Sequence, residues 1–261
     1  MSPHLHPGED RSGAAVACDA VSRTFAGTGL VLDRISFKVA PSEFVALLGP
    51  SGSGKSSLLR LIAGLDRADA GQLTIAAANG ALSRGFVFQE PTLLPWRTVL
   101  RNTTLPLELE GWSCDKANAR AEGELRRVHL AEFTARYPHE LSGGMKMRTS
   151  VARALTTRPN LLLLDEPFAA LDEPTRHGLQ MQLREIWETL RMTVLFVTHS
   201  VSEAVFLADR IIVLSQRPAR IIADETIALP PTRTAALRTS VDYMNEIRRI
   251  GRAFPTVAGA L

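Results

Sequence analysis

The octet Gly49-Pro50-Ser51-Gly52-Ser53-Gly54-Lys55-Ser56 constrains this chain more than any other stretch. It follows an apolar, strand-like run at 44–48 and precedes a helix-like run at 57–63 that opens with Ser57. All fixed positions of G-x-x-x-x-G-K-[ST], the phosphate-binding loop, are filled. Glycines there let backbone N–H groups turn inward on an anion. A helix opening at Gly54 adds unpaired N–H donors and the positive end of its dipole. Lys55 supplies a full positive charge for β- and γ-phosphates, and the Ser56 hydroxyl is placed to ligate Mg²⁺. A plain Gly/Ser turn is the bland alternative; the complete motif between a strand and a helix weighs against it.

With 261 residues the chain can bury one substantial core, or a core plus a small subdomain. A content of 45% hydrophobic and 22% charged residues is that of an ordinary globular protein, and a net charge of +3 gives no footprint for nucleic acid. Cys18 and Cys114 share no metal or C-x-x-C spacing and read as free thiols in a reducing compartment. Residues 1–15 carry no apolar h-region and read as a flexible leader, with His4 and His6 as solvated tail residues. No run approaches the ~18–20 apolar residues of a membrane span. The expected location is cytoplasmic, with any membrane role left to a partner chain.

Alternation through Val21, Arg23 and Phe25, then Val31, Ile35, Phe37 and Val39, predicts two strands joined by a turn at 26–29. Gly64 stops the first helix, and short strands are expected at 71–75 and 85–89. From there to about residue 156 strand signals vanish. Helices are expected around 96–110, 115–130 and 143–155, an inserted subdomain over about 92–156. Buried parallel strands follow at 161–164, 193–198 and 211–214, with a helix over about 174–190. Leu179, Leu183, Ile186, Trp187 and Leu190 share one face of that helix. This order implies right-handed crossovers and a largely parallel sheet with helices on both faces. A last helical pattern at 239–254, with Arg238, Arg248, Arg249 and Arg252 among apolar positions, is expected to dock on the core. A contact with a membrane surface is the alternative.

A phosphate loop alone says only "nucleotide". Asp165 and Glu166 end the apolar run 161–164, where Mg²⁺ and an attacking water are held in phosphate-loop NTPases. Two acids at a strand end also serve as a helix N-cap pair. Leu141-Ser142-Gly143-Gly144 precedes a helix and offers a second anion site, or simply a common helix entry. His199 ends the strand 193–198 and could contact a phosphate, cap a helix or face solvent. Gln89 ends another strand, where its amide could orient water or Mg²⁺.

Taken together and in this order, these motifs resemble the ATP-binding subunit of an ATP-binding-cassette (ABC) transporter, over about residues 18–252. The resemblance implies an α/β phosphate-loop NTPase core with a mostly parallel sheet, an N-terminal antiparallel β region and the inserted helical subdomain. The ATPase domain would span 16–231 and a helical tail 232–261. Residues 49–56, with Ser57 behind them, look like the Walker A loop, and Gln89 like the Q-loop glutamine that contacts Mg²⁺ and couples to membrane subunits. Ser142, Gly143 and Gly144 look like the signature motif. Asp165 and Glu166 look like the Walker B aspartate and the catalytic glutamate, Asp172 like part of the D-loop, and His199 like the switch histidine. Phe25 stands where the family stacks an aromatic ring on adenine; a strand-end core residue is the alternative reading.

The resemblance also implies ATP and Mg²⁺, and a head-to-tail homodimer in which each ATP lies between the Walker A loop of one copy and the signature of the other. It further implies transmembrane permease subunits, a periplasmic or extracellular solute-binding protein, and a peripheral place on the cytoplasmic face of the inner membrane. Nucleic acid is not an expected partner. The signature helix departs from the commonest pattern at Met145, Met147 and Thr149. The stretches Leu93-Leu94-Pro95-Trp96, 198–204 and 214–221 resemble the branch that imports nitrate, sulfonates and taurine. A ribosome- or DNA-acting relative would bring two cassettes, long coiled-coil insertions or strong basic patches. A silent nucleotide-binding scaffold would have no need of Lys55, Asp165, Glu166 and His199 together.

Overall fold

Residues 13–77 and 81–254 are described in this computed structural model. The expected leader lies outside them up to residue 12, and its final residues are already structured: strand β1 (Ala14–Phe25) starts inside it. β1 turns into β2 (Gly29–Val39), its antiparallel partner. β3 (Phe44–Leu48) then runs through the loop 49–54 into α1 (Lys55–Ala63). Gly64 ends α1 at a φ of 77°, its N–H turned back onto the last carbonyls of the helix. β4 (Ala70–Ala77) returns to the free edge of β1, completing a three-stranded antiparallel sheet, β2-β1-β4.

The chain next contributes β5 (Arg84–Val87) and three helices that pack on one another, α2 (Val99–Leu109), α3 (Cys114–Arg127) and α4 (Gly143–Leu155). It then alternates through β6 (Leu161–Asp165), α5 (Glu173–Leu190), β7 (Thr193–Thr198), α6 (Val201–Leu207) and β8 (Arg210–Leu214). β9 (Ile221–Thr226) and α7 (Val241–Ala253) close it. The larger sheet runs β5-β6-β7-β3-β8-β9, parallel except for β9, which pairs antiparallel with β8 at the edge.

Strand alternation splits the core in two. Phe44, Ala46, Leu48, Leu162, Leu164, Val194 and Phe196 enter one apolar cluster with the buried faces of α4, α5 and α6. Val45, Leu47, Leu161, Leu163, Leu195 and Val197 enter the other. That second face is covered by α1 together with the antiparallel sheet, so helices lie on both sides as expected and β-structure joins the helix on this one. Parallel strands buried on both faces read as unbroken apolar runs, as β3, β6 and β7 do. The stripe on α5 is core, with Trp187 edge-on to Phe44 at 5.8 Å.

A seam at the far ends of the strands joins the two sheets. The Thr193 hydroxyl donates to Ala14 O at 2.7 Å and accepts Ser42 N–H at 2.9 Å, and Asn160 O accepts the N–H groups of Ala14 and Thr193. The arginine-rich tail docks on the protein. Tyr243 and Ile250 are buried, the Tyr243 hydroxyl donates to Ser202 O at 2.8 Å, and Arg238 lies over the Phe206 ring at 3.5 Å.

Candidate active site

The loop 49–54 is held in a conformation that only glycine tolerates at its end. Gly54 has a φ of 109°, and a Cβ there would come within 2.9 Å of Val31 Cγ1. Beyond it α1 begins with no side-chain cap and no acidic residue in its first turn, so its first N–H groups and dipole stay available to an anion. Ser57 sits in that turn. Ser53 Oγ is buried without a hydrogen-bond partner, a polar atom that the loop leaves unsatisfied. Lys55 is only 3% exposed, and its Nζ donates to Gly49 O and Pro50 O at 2.9 and 2.8 Å. Burial pulls the Lys55 pKa down, against the pull of Glu166.

Because β7 lies between β3 and β6, the carboxyl ends of these strands converge on the loop. Ser56 Oγ donates to Asp165 Oδ1 at 2.8 Å. Lys55 Nζ is 3.5 Å from Glu166 Oε1, and Glu166 Oε2 is 2.9 Å from His199 Nδ1. A carboxylate oxygen only accepts, so that contact puts the proton of a neutral imidazole on Nδ1 and leaves Nε2 as the acceptor nitrogen. Glu166 has a φ of 44°, an uncommon backbone state that places its side chain between cation and imidazole. Burial pushes the Asp165 carboxyl above its ordinary range, which the Ser56 hydroxyl partly opposes. A hydroxyl and a carboxylate form an all-oxygen donor pair of the kind Mg²⁺ takes, and a cation there would relieve the buried charge.

Other expected site residues lie apart from this group. Gln89 is exposed and stands two residues beyond β5, not at its end. Ser142 caps α4, accepting Met145 N–H at 3.3 Å, and Asp172 caps α5, accepting Thr175 N–H at 3.0 Å. Gly143 and Gly144 lie against that second cap: a Cβ on Gly143 would meet Leu171 Cδ2 at 3.7 Å, and one on Gly144 would overlap Thr175. Ser142, Gly143, Gly144 and Asp172 thus form a second cluster, with no hydrogen bond to the loop 49–56. Phe25 is half-buried, with the Arg23 guanidinium 4.7 Å over its ring. Arg23 is itself held by Asp66 and Asp69.

Sequence reasoning missed two contacts. Arg153 on α4 grips Pro91 O and Thr92 O, both at 2.9 Å, just beyond Gln89. Glu203 accepts the Thr198 hydroxyl at 2.6 Å next to His199. The S-x-x-E spacing of Ser200-Val201-Ser202-Glu203, a capping-box pattern, was the available signal for Glu203.

The family model for ABC transporter matches residues 32–169. The aliphatic sulfonates import ATP-binding protein SsuB 1 of Pseudomonas fluorescens is 46% identical over 88% of this chain and 84% of that protein. The nitrate import ATP-binding protein NrtD of Synechocystis is 44% identical over 78% of each. Among solved structures, a dimeric ATP-binding cassette in a post-hydrolysis state with ADP and Pi superposes with a TM-score of 0.72. It has 30% sequence identity and covers 82% of this chain and 100% of that one. No helix of the described residues is long and apolar enough to cross a membrane. A phosphate loop facing two strand-end acids and a histidine, in a fold shared with these cassettes, makes this chain a member of the ABC transporter ATP-binding family, an ATP-binding and ATP-hydrolysing subunit.

Proposed function

We propose that this ATPase powers uptake of a small sulfonated or nitrate-like solute. It works as a head-to-tail pair on the cytoplasmic face of the membrane, beneath permease subunits fed by a periplasmic or extracellular solute-binding protein. The names of the import relatives and the dimeric cassette support this reading. The single observation that carries the chemistry is the placement of Glu166 between Lys55 and His199.

In this reading the residues 49–57 bind the phosphates, with Lys55 on the β- and γ-groups, and Phe25 stacks on adenine. Ser56 and Asp165 would hold Mg²⁺, with the Gln89 amide as a further oxygen donor. The ion's chemistry, when bound, is to neutralise phosphate charge. Glu166 takes a proton from the water that attacks the γ-phosphorus, while ADP leaves on the opposite side. His199 and Lys55 stabilise charge on the transferred group. Ser142, Gly143, Gly144 and Asp172 close over the ATP of the second copy.

Glu166→Gln tests the assignment. It is expected to keep ATP affinity and lose about 100-fold or more in turnover, as removal of a general base does. Lys55→Ala is expected to lose nucleotide binding itself. Undiminished steady-state ATPase activity in the first variant sinks the base assignment. For the solute, co-expression with its permease should give ATP-dependent uptake of labelled taurine or nitrate; transport of neither sinks that part.

A further inference from the structure

Glu203 is 9% exposed and occupies the third position of α6. Its Oε2 accepts the Thr198 hydroxyl at 2.6 Å, Thr198 Oγ1 accepts Ser200 N–H at 3.0 Å, and Ser200 Oγ accepts Glu203 N–H at 3.3 Å. These three bonds close a ring that flanks His199 on both sides. In an ordinary capping box the carboxylate would take the N-cap N–H directly. Here the Thr198 hydroxyl stands between them, so Glu203 fixes the end of β7 as well as the start of α6.

The other oxygen, Oε1, faces Arg176 Nε at 3.7 Å, too far for a hydrogen bond. That Nε is buried and has no hydrogen-bond partner. Arg176 Nη2 meanwhile donates to Leu171 O at 2.6 Å. Leu171 and Thr175 are the residues that Gly143 and Gly144 lie against. A buried guanidinium N–H and a carboxylate held just short of bonding form a contact that a small displacement closes.

We propose that Arg176 and Glu203 are positioning residues that couple the Gly143–Gly144 end of this chain to His199. Movement of the segment 171–176 closes the gap between Nε and Oε1 and, through Thr198, holds the imidazole in the contact it already makes with Glu166. One chain thereby links the cluster that meets the second copy's nucleotide with the acid that works on its own. This inference rests on the roles given above to Glu166 and His199.

The test measures ATP turnover and equilibrium ATP binding by the full chain. Glu203→Gln keeps shape and removes charge; it is expected to lower kcat about tenfold or more while leaving KM and Kd for ATP within about twofold. Arg176→Met should do the same, and the double variant should fall no further than the worse single one. Thr198→Ser should retain turnover and Thr198→Val should lose it; this pair decides the matter if Glu203→Gln does not fold. Full turnover in Glu203→Gln or Thr198→Val, or additive losses in the double variant, overturns the proposal. Retained turnover in both Glu166→Gln and His199→Ala would instead overturn the reading beneath it.

Discussion

Ser56 Oγ donates to Asp165 Oδ1 at 2.8 Å, tying the first turn of α1 to the end of β6 across 109 positions of sequence. Burial disfavours the ionised form of Asp165, so removing its charge relieves the metal-free protein. Asp165→Asn is expected to hold or raise Tm in the presence of EDTA, while its Mg²⁺-dependent affinity for ATP falls about tenfold or more. Thermal shift with EDTA and with Mg²⁺ checks both halves. An unchanged Mg²⁺ response would remove Asp165 from the metal site.

Gly54 and Gly52 separate space from conformation. Both have positive φ, 109° and 73°, but only Gly54 is pressed against Val31 and Leu32. Gly52→Ala should cost about 1 kcal/mol of strain, and Gly54→Ala about 2–3 kcal/mol together with ATP binding. Urea denaturation read alongside nucleotide binding checks this. Equal costs at the two positions would show that crowding does not govern Gly54.

Arg249 beside Glu246 holds that carboxyl below the ordinary glutamate range, and Ala228 N–H helps at 3.3 Å. A depressed folded pKa gives stability that is complete above the unfolded value, about pH 4.3, and is lost as pH falls through the folded one. The difference in urea midpoint between the protein and Glu246→Gln should therefore be present at about pH 6 and shrink as pH falls below about 4.3. A constant difference over that range would mean that Glu246 acts by packing alone.

Burial pushes the Cys18 thiol up to about 12, whereas Cys114 is exposed. Iodoacetamide at about pH 8 should add one adduct to the native chain, at Cys114, and two once it is unfolded. Mass spectrometry of the digest identifies the site. Modification of native Cys18 would show that the β2-β1-β4 sheet opens readily.

The parallel strands and the phosphate loop were legible because their chemistry is local. A strand buried on both faces must be apolar throughout, and residues 49–56 carry their own glycines and lysine. β9 was not legible: Ile221-Ile222-Ala223-Asp224-Glu225-Thr226 is an edge strand, half-exposed and carrying two acids, and it pairs only through β8. α6 spans seven residues, too few for helical period to separate it from an apolar run. The contact of Glu166 with both Lys55 and His199 was visible only as a list of separate strand ends. Their meeting depends on β7 lying between β3 and β6, a strand order that no local pattern states.

The Thr193 hydroxyl, bonded at once to Ala14 and Ser42, acts as a weld between the two sheets. The hairpin that carries Phe25 and the strand that carries the phosphate loop therefore belong to one chassis. In the reading proposed above, base and triphosphate would be gripped by parts tied together at that seam. The helices α2, α3 and α4 stand outside that seam: the chain leaves the larger sheet for them after β5 and returns at β6, and α4 packs back on β5 and α5.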